Sequence, residues 1–250
     1  MQEEIIVPWI AGQHLAVRGG MTGSTGNIYV GLNEFVDMML PLHFLREGDL
    51  FLDIGANVGS YTVLASGICR AVTWAFEPDP GTVRNLKRNI AINSLEALVT
   101  IYELALGSAE GEVPFTVGLD TVNKVAASGE KNVRITRQER LDTLVGAAKP
   151  AMIKMDVEGY EEEVLRGALD LLENECLKVI ELETVTPEIN KMLLRTHFES
   201  SYYDPFNRKL LREPYRDIPS SLNSVFVRDW EFVSSRVAMA NPIRVLGYTI

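Results

Sequence analysis

Residues 51–60, with the sequence FLDIGANVGS, combine an apolar run, glycines and an acid at a spacing typical of a ligand-binding turn. Gly55 and Gly59 let the backbone pass close to a ligand and adopt a positive φ. The turn lacks both the G-x-G-x-x-G of a dinucleotide site and the G-K-S/T of a P-loop. Asp53 would repel a phosphate group, whereas it would stabilise a ligand that carries positive charge. The turn therefore favours a cationic ligand without phosphate.

A second acid follows the next apolar run, in the segment AFEP. Glu77 stands about 20 residues after Gly55, the spacing at which an acid at the tip of a second strand binds ribose hydroxyls. A ribose, an ammonium and a sulfonium occur together in S-adenosylmethionine. The two acids, Asp53 and Glu77, therefore predict that the chain binds S-adenosylmethionine.

The elements that must hold these residues alternate between short apolar strands and helices. Such a pattern predicts a doubly wound, mostly parallel α/β sheet that is covered on both faces. Strands are predicted over residues 50–54, 71–76, 99–106, 113–117, 151–157, 177–182, 201–203 and 224–227, and helices over residues 33–45, 60–68, 80–93, 140–147, 161–172 and 187–197. Pro41 is expected to kink or end the first helix near Leu40, and Ser60 to cap the second. Residues 118–150 are expected to be irregular and polar apart from the helix-like piece over 140–147.

The composition limits the partners of the chain. Over 250 residues the formal net charge is −10, which disfavours a nucleic-acid substrate because an acidic surface repels the phosphate backbone. No apolar stretch approaches the roughly 20 residues of a membrane span, and the first residues do not resemble a secretory signal. Cys69 and Cys176 lack metal-ligand spacing, so reduced thiols are expected. The simplest expectation is a cytoplasmic protein.

Six segments, in order and at compatible spacings, resemble the FkbM family of S-adenosylmethionine-dependent methyltransferases. They are FLDIGANVG, AFEPDP with NLKRNIAIN, ELALGSAEGEVPF, RLDTL, IKMDVEGYEEEVLRGA and VIELE. The resemblance implies the class I methyltransferase fold, a Rossmann-like sheet of seven strands with the last one antiparallel. We expect residues 1–48 to form a lid or cap segment and residues 49–250 to form the methyltransferase domain.

The same resemblance implies a set of cofactor-binding residues. They are Asp53, Gly55, Asn57 and Gly59 for the methionine end, Glu77 for the ribose, and Leu104 and Ala105 for the adenine. Leu104 and Ala105 are equally compatible with plain core packing. Position alone suggests that Glu34, which precedes the first strand, reaches the amino-acid end of the cofactor.

Catalytic acids are predicted at the end of the fourth strand, in IKMDVEG. Methyl transfer to a hydroxyl needs positioned reactants and a general base within hydrogen-bond reach. Asp156 is the first candidate for this base and Glu158 the second; alternatively, Asp156 only orients the ammonium group of the cofactor. The two acids also offer oxygens to a divalent cation, but no further ligand is identifiable, so no metal is predicted. Lys154 either points away from the site or pairs with an acid.

The acceptor is predicted to be a hydroxyl of a sugar, a glycan or a small natural product, which is what the resemblance implies. The DVEG segment lacks the prolines and the aromatic residue with which nucleic-acid methyltransferases hold a flipped base. Residues 107–150 and 184–222 are expected to build the acceptor pocket, with aromatic side chains that stack on a sugar or simply pack: Tyr202, Tyr203, Phe206 and Tyr215. His14 and His43 reach the pocket only if the N-terminal segment folds over it.

Three alternatives stay open at this point. They are methyl transfer to a carboxylate, a nicotinamide-dependent oxidoreductase on a Rossmann-like sheet, and a non-catalytic module that binds the cofactor. The missing dinucleotide motif and Asp53 count against the oxidoreductase. The presence of Asp53, Glu77 and Asp156 together counts against a non-catalytic module.

Overall fold

The computed structural model describes residues 4–18, 22–118, 123–126, 130, 132–212 and 222–250. In chain order the strands are β1 (Ile5–Pro8), β2 (His14–Val17), β3 (Leu50–Ile54), β4 (Val72–Phe76), β5 (Val99–Tyr102), β6 (Ala105–Leu106), β7 (Gly111–Thr116), β8 (Val133–Glu139), β9 (Pro150–Met155), β10 (Val179–Leu182), β11 (Glu199–Asp204), β12 (Lys209–Arg212), β13 (Ser224–Val227), β14 (Arg244–Val245) and β15 (Tyr248–Thr249). The α-helices are α1 (Thr22–Val30), α2 (Phe35–Phe44), α3 (Ser60–Val63), α4 (Pro80–Ile92), α5 (Leu141–Val145), α6 (Glu161–Arg166), α7 (Leu169–Glu173), α8 (Pro187–Arg195) and α9 (Trp230–Ala238). A π-helical turn, Leu64–Ile68, continues α3.

Eight strands form the main sheet, in the order β12-β11-β13-β10-β9-β3-β4-β5. Strands β10, β9, β3, β4 and β5 are parallel, whereas β13 is antiparallel to β10. The expected doubly wound α/β fold with an antiparallel late strand is confirmed. The sheet has one strand more than expected, because β12 pairs antiparallel with β11 at the edge. The Asp204 carboxylate holds the turn between them by accepting hydrogen bonds from the backbone N–H groups of Phe206 and Asn207.

Side chains of the central strands alternate between two cores on opposite faces of the sheet. Phe51 and Met152 pack on one face with α2 and α9, and Leu52 and Ile153 pack on the other with α6, α7 and α8. Because both faces are covered, the carboxyl ends of the parallel strands are where a ligand can enter.

A second, three-stranded sheet with the order β6-β8-β7 stands beside the main sheet. Residues 99–106 were expected to form one strand, but only β5 joins the main sheet, while β6 pairs parallel with β8. Strand β8 also departs from the irregular structure expected there. Its sequence, VRITRQE, is mostly exposed or half-buried, so no buried apolar run marks it as a strand.

Three helices differ locally from expectation. Helix α2 runs through Pro41 without ending, because burial of every residue from Asp37 to Phe44 outweighs the one hydrogen bond that proline removes. Ser60 does not cap α3; the cap position is occupied by Gly59, in the left-handed conformation with φ of 88°. The helix expected over residues 161–172 is divided at Gly167, where a Cβ would lie 2.0 Å from the Gly107 carbonyl oxygen.

The N-terminal segment packs on the main sheet. Strands β1 and β2 form an antiparallel hairpin, and the buried side chains of α2 belong to the same core as Phe51 and Met152. The division of the chain at residue 48 stays a prediction. Cys69 and Cys176 are free and partly buried. Within the described ranges, no helix combines the length and the apolar character that a membrane span requires.

Candidate active site

Two adjoining cavities open at the carboxyl ends of β3, β4 and β9. The apolar cavity has an empty volume of about 620 Å³, and its wall includes Ile54, Phe76, Glu77, Leu104, Ala105, Phe115, Val157 and Tyr160. The acidic cavity has an empty volume of about 830 Å³, and its wall includes Asn27, Asn33, Glu34, Tyr61, Lys154, Asp156, Glu158 and Glu183. Gly55, Asn57 and Asp156 line both cavities, which are therefore two parts of one cleft.

The floor between the two cavities is the turn after β3. The backbone N–H groups of Gly55 and Ala56 both donate to the carbonyl oxygen of Phe76, at 3.0 Å each. Gly55 has φ of +75°, and a Cβ built on it would lie 1.8 Å from the carbonyl oxygen of Asp156. Only glycine fits a positive φ and so close an approach of two backbones. The turn therefore brings the ends of β3, β4 and β9 together.

Glu77 fixes one wall of the cleft. Its Oε2 accepts a hydrogen bond from Asn57 N at 3.0 Å, and its Oε1 accepts one from Asp79 N at 2.8 Å. Asn57 itself has φ of 51°, in the left-handed region that asparagine tolerates. Glu77 is only 7% exposed, and burial raises the pKa of its carboxyl group to about 7. The structure thus holds this carboxylate in one orientation at the apolar cavity; its binding of a ribose stays a prediction.

The two residues predicted to contact adenine line the apolar cavity, but the contact itself stays a prediction. Leu104 follows β5, Ala105 begins β6, and both are buried. Phe115 and Tyr160 line the same cavity, and the sequence contained no signal for either of them because aromatic residues are common in cores. Apolar and aromatic side chains of this kind suit contact with a planar ring system.

Asp53 lies one layer below the cleft and lines neither cavity. It is fully buried, and its Oδ2 accepts a hydrogen bond from Thr62 Oγ1 at 2.5 Å. Within the described part of the chain its Oδ1 has no hydrogen-bond partner, and burial raises the pKa of the carboxyl group. Because side chains alternate along β3, Asp53 points toward α3. This corrects the expectation of direct contact with a cofactor.

Lys154 lies between acids on both neighbouring strands. In the register of the parallel sheet, Lys154 of β9 pairs with Asp53 of β3 on one side and with Glu181 of β10 on the other. Its Nζ donates to Asp156 Oδ2 at 3.0 Å and lies 4.7 Å from the centre of the Tyr61 ring. Burial alone would lower the pKa of Lys154, but the neighbouring acids, Asp156 first among them, outweigh burial and raise it. Of the two expectations for Lys154, pairing with an acid is confirmed.

Three carboxylates gather at the mouth of the acidic cavity. Asp156, Glu158 and Glu183 each offer an oxygen, and these oxygens lie within 4.8 Å of one another. Burial favours the neutral form of Asp156, but the charge and hydrogen bond of Lys154 prevail and lower its pKa. Glu183 is hydrogen-bonded to Asp156, and partial burial of its carboxyl group followed by the Asp156 charge raises the pKa of Glu183 to about 8. The cluster therefore holds one firmly ionised acid beside one that binds a proton readily.

The third member of this cluster had a recognisable signal in the sequence. Glu183 follows β10 in the segment ELE, and the carboxyl ends of adjacent parallel strands meet at one edge of a sheet. The sequence alone did not show that β10 lies next to β9, so it did not connect Glu183 with Asp156.

Three carboxylates at this spacing also suit a divalent cation, although Lys154 already supplies a positive charge to Asp156.

Glu34 lines the acidic cavity, and its contact with the amino-acid end of a cofactor stays a prediction. Its Oε2 accepts a hydrogen bond from the Tyr61 hydroxyl at 2.6 Å. The histidines line neither cavity. His43 is fully buried with its Nδ1 2.5 Å from the Tyr203 hydroxyl, and burial lowers its pKa to about 4. His14 lies in β2, where its backbone N–H donates to Asn93 Oδ1.

Of the aromatic residues proposed for the acceptor, the three that the structure describes do not line this cleft. Tyr203 is buried in the core, and Phe206 is exposed on the turn before β12, with its ring 5.3 Å from that of Phe35. Tyr202 lies in β11, away from both cavities, and Tyr215 falls outside the described residues. The polar residues that do line the acidic cavity include Asn27 and Asn33 of the N-terminal segment, for which the sequence contained no signal.

Comparison with known proteins identifies relatives by sequence. The family model described as the methyltransferase FkbM domain matches residues 53–212, more than half of the chain. The hexuronic acid methyltransferase AglP of Haloferax volcanii is 30% identical over 161 residues, which cover 62% of this chain and 65% of that protein. Methyltransferase sdnD of Sordaria araneosa is 27% identical over 199 residues, which cover 64% of this chain and 77% of that protein. The chain therefore spans just under two thirds of the Haloferax relative.

Solved structures share the fold. Methyltransferase FkbM from Methylobacillus flagellatus KT superposes with a TM-score of 0.50 at 17% identity, covering 73% of this chain and 44% of that one. A putative transferase, PH0793 from Pyrococcus horikoshii, superposes with a TM-score of 0.50 at 12% identity, covering 90% of this chain and 71% of that one. At these identities the likeness concerns the Rossmann-like fold alone.

Proposed function

This chain is a methyltransferase of the FkbM family, and on that premise we propose that it uses S-adenosylmethionine to methylate a hydroxyl group of a sugar, a glycan or a small natural product. The main support for the proposal is that the apolar and acidic cavities join in one cleft. Among the described residues, the acidic cavity is lined by Glu34, Asp156, Glu158 and Glu183 but by a single lysine, which is already paired. A ligand with a planar base at one end and, at the other, an ammonium and a sulfonium against one carboxylate matches this division.

The residues present fit the cofactor. Glu77 would hold the ribose, since each of its oxygens accepts one backbone N–H and keeps a lone pair for a hydroxyl. Leu104 and Ala105 would pack against the adenine. Gly55, Asn57 and Gly59 shape the turn on which the methionine end would lie, and Glu34 and Asp156 would face its ammonium group.

When bound, S-adenosylmethionine supplies a methyl carbon whose bond to a positively charged sulfur breaks, with the electron pair left on sulfur, as the acceptor oxygen bonds to that carbon. The side chains of this chain contribute positioning, exclusion of water and a place for the hydroxyl proton. Asp156, Glu158 and Glu183 all line the acidic cavity, where the proposal puts the reacting methyl group. A base in this cluster could therefore accept the hydroxyl proton.

The charge of the acidic cavity bears on which acceptor atom is used. The name of the Haloferax relative states that it acts on a hexuronic acid, which offers both hydroxyls and a carboxylate. In this chain an anionic carboxylate would approach several carboxylates at once, and like charges at close range repel. A neutral hydroxyl meets no such repulsion and can donate a hydrogen bond to an acid. The cavity thus favours a methyl ether over a methyl ester as the product.

The proposal is tested by incubating the purified chain with S-adenosylmethionine carrying a labelled methyl group and matched acceptors. The acceptors are methyl glycosides of neutral sugars and the corresponding uronic acids, and the products are treated with mild alkali before mass spectrometry. Labelled products that resist alkali are methyl ethers and support hydroxyl methylation. Labelled products from the uronic acids alone that lose the label in alkali are esters and would show that the acceptor is a carboxylate.

A further inference from the structure

The cluster of Asp156, Glu158 and Glu183 contains three acids with unequal surroundings. Glu183 directly follows β10, and its backbone N–H donates to the carbonyl oxygen of Met155 at 3.2 Å. This hydrogen bond continues the parallel pairing of β9 and β10 by one residue and holds Glu183 beside Asp156. The carboxyl group of Glu183 lines the acidic cavity and is hydrogen-bonded to Asp156.

Asp156 is poorly suited to take a proton. Its Oδ2 is paired with Lys154 Nζ at 3.0 Å, and Lys154 is itself buried between Asp53 and Glu181. A carboxylate that is held ionised by a buried cation has a low affinity for protons and is a weak base. Asp156, the first candidate for the general base, is therefore already paired with Lys154.

Glu183 has the opposite surroundings. The charged groups that face it are Asp156 at the end of β9, Glu158 on the following loop and Glu161 in the first turn of α6. All three are acids, so each increases the affinity of Glu183 for a proton. Burial and the Asp156 charge also raise the pKa of Glu158, but two cations, Lys124 and Lys154, oppose this shift.

We infer that Glu183 is the catalytic general base of this enzyme and that Asp156, held ionised by Lys154, is the positioning residue that strengthens it. The inference rests on the proposed function and adds the residue that accepts the proton. The O–H bond of the acceptor breaks and its proton passes to a Glu183 carboxylate oxygen, while the oxygen electron pair forms the new bond to carbon. The protonated Glu183 then returns its proton to solvent at the mouth of the cleft, where its side chain is exposed.

The base strength agrees with this assignment. A general base works best when its pKa lies near the working pH, because it is then both available and strong. The pKa of Glu183 is raised to about 8, whereas that of Asp156 is lowered. Activity should therefore rise with pH through about 8, as Glu183 loses its resting proton.

The first test needs no acceptor. The full chain is labelled with ¹³C at the glutamate carboxyl carbon, saturated with S-adenosylhomocysteine and titrated by NMR. We expect one carboxyl resonance with a midpoint near pH 8 that is missing in Glu183→Gln, unchanged in the surface control Glu188→Gln, and shifted to lower pH in Asp156→Asn. A Glu183 resonance that titrates between about pH 4 and 5, as an unperturbed glutamate does, would overturn the inference.

The second test uses turnover with a neutral sugar acceptor from the labelled-methyl experiment. Glu183→Gln should lower kcat by about 10²- to 10⁴-fold and abolish the rise with pH, while its affinity for S-adenosylhomocysteine stays within a few-fold of wild type. Glu188→Gln should keep both kcat and the pH profile. A Glu183→Gln enzyme with near-normal kcat, or activity that is lost on chelation and restored by Mg²⁺, would contradict a role for Glu183 as the base.

The outcomes separate this inference from the proposed function. A wild-type chain that fails to bind S-adenosylhomocysteine defeats the proposed function, whatever the titration of Glu183 shows. A wild-type chain that binds it and methylates a hydroxyl, but keeps that activity in Glu183→Gln, defeats the inference alone.

Discussion

A Cβ atom built on Gly55 would lie 1.8 Å from the carbonyl oxygen of Asp156, so the turn after β3 and the end of β9 touch through their backbones. This contact joins the turn that is predicted to carry the cofactor to the strand end that carries the acids. The turn predicted to bind the cofactor and the strand end with the acids therefore meet at a residue with no side chain.

Gly55→Ala should separate these two backbones. The positive φ and the overlap together predict a loss of about 2–4 kcal/mol in the free energy of unfolding, with at least a tenfold loss in affinity for S-adenosylhomocysteine. Gly48→Ala is the matched control, since Gly48 has φ of +82° and nothing within 4 Å of the new Cβ. Urea unfolding and calorimetric titration measure both effects. Equal behaviour of the two variants would show that the Gly55–Asp156 contact does not shape the site.

Glu77→Ala should weaken binding of S-adenosylhomocysteine by about 1–3 kcal/mol, because charged hydrogen bonds to the ribose are lost. Glu77 also anchors the backbone of Asn57 and Asp79, so Glu77→Gln, which keeps an acceptor oxygen, should bind more tightly than Glu77→Ala. Glu103→Ala is the control, as an exposed acid paired with Lys87 on the same side of the sheet. Wild-type affinity in Glu77→Ala would refute the ribose assignment.

Lys154→Met should destabilise the protein at pH 7 by about 3–5 kcal/mol, because removing one partner leaves buried charge without compensation. The group left without its cation would be Asp156, whose Oδ2 lies 3.0 Å from Lys154 Nζ and whose pKa Lys154 lowers against burial. The loss should shrink as pH falls, since protonation removes the charge of Asp156. Lys87→Met breaks an exposed pair with Glu103 and should cost no more than about 1 kcal/mol. Chemical unfolding at two pH values tests the difference. Similar costs for both lysines would contradict a stabilising role for the ion pair between the buried Lys154 and Asp156.

Asp37→Asn should stabilise the protein at high pH. Asp37 is buried, and burial raises its pKa from 3.8 to about 7. The folded state therefore binds the proton more readily than the unfolded state, and stability contributed by the neutral carboxyl group is lost as pH rises from about 4 to about 7. We expect a gain of about 1–3 kcal/mol at pH 8 that disappears near pH 4. Asp170→Asn, at an exposed site, should show no such dependence; a pH-independent effect at Asp37 would refute its raised pKa.

The features that depend on short, contiguous sequence patterns were predicted correctly. The turn after β3, the acid after β4 and the helix α4 all followed from local spacing, and Leu104 and Ala105 do line the cleft. The features that were not predicted depend on tertiary packing. Pro41 stayed within α2 because that helix is buried, and β8 had no buried apolar run to mark it.

Asp53 and Glu183 show most clearly what local sequence patterns do not predict. Asp53 was assigned to the cofactor from its position before the glycines, but the alternation of side chains along β3 places it below the cleft. The sequence shows that Glu183 is an acid at the end of a strand. It does not show that Glu183 lies next to Asp156, because tertiary packing sets the strand order. The expected lid and the acceptor aromatics rested on position alone, and the aromatics described here lie elsewhere.

The measurement that tests the central claim most directly is calorimetric titration of the purified chain with S-adenosylhomocysteine, repeated with NAD under the same conditions. The cleft of apolar and acidic cavities predicts binding of S-adenosylhomocysteine at micromolar concentrations, its loss in Gly55→Ala but not in Gly48→Ala, and no binding of NAD. Binding of NAD without binding of S-adenosylhomocysteine would contradict the assignment of this cleft to a methyl donor.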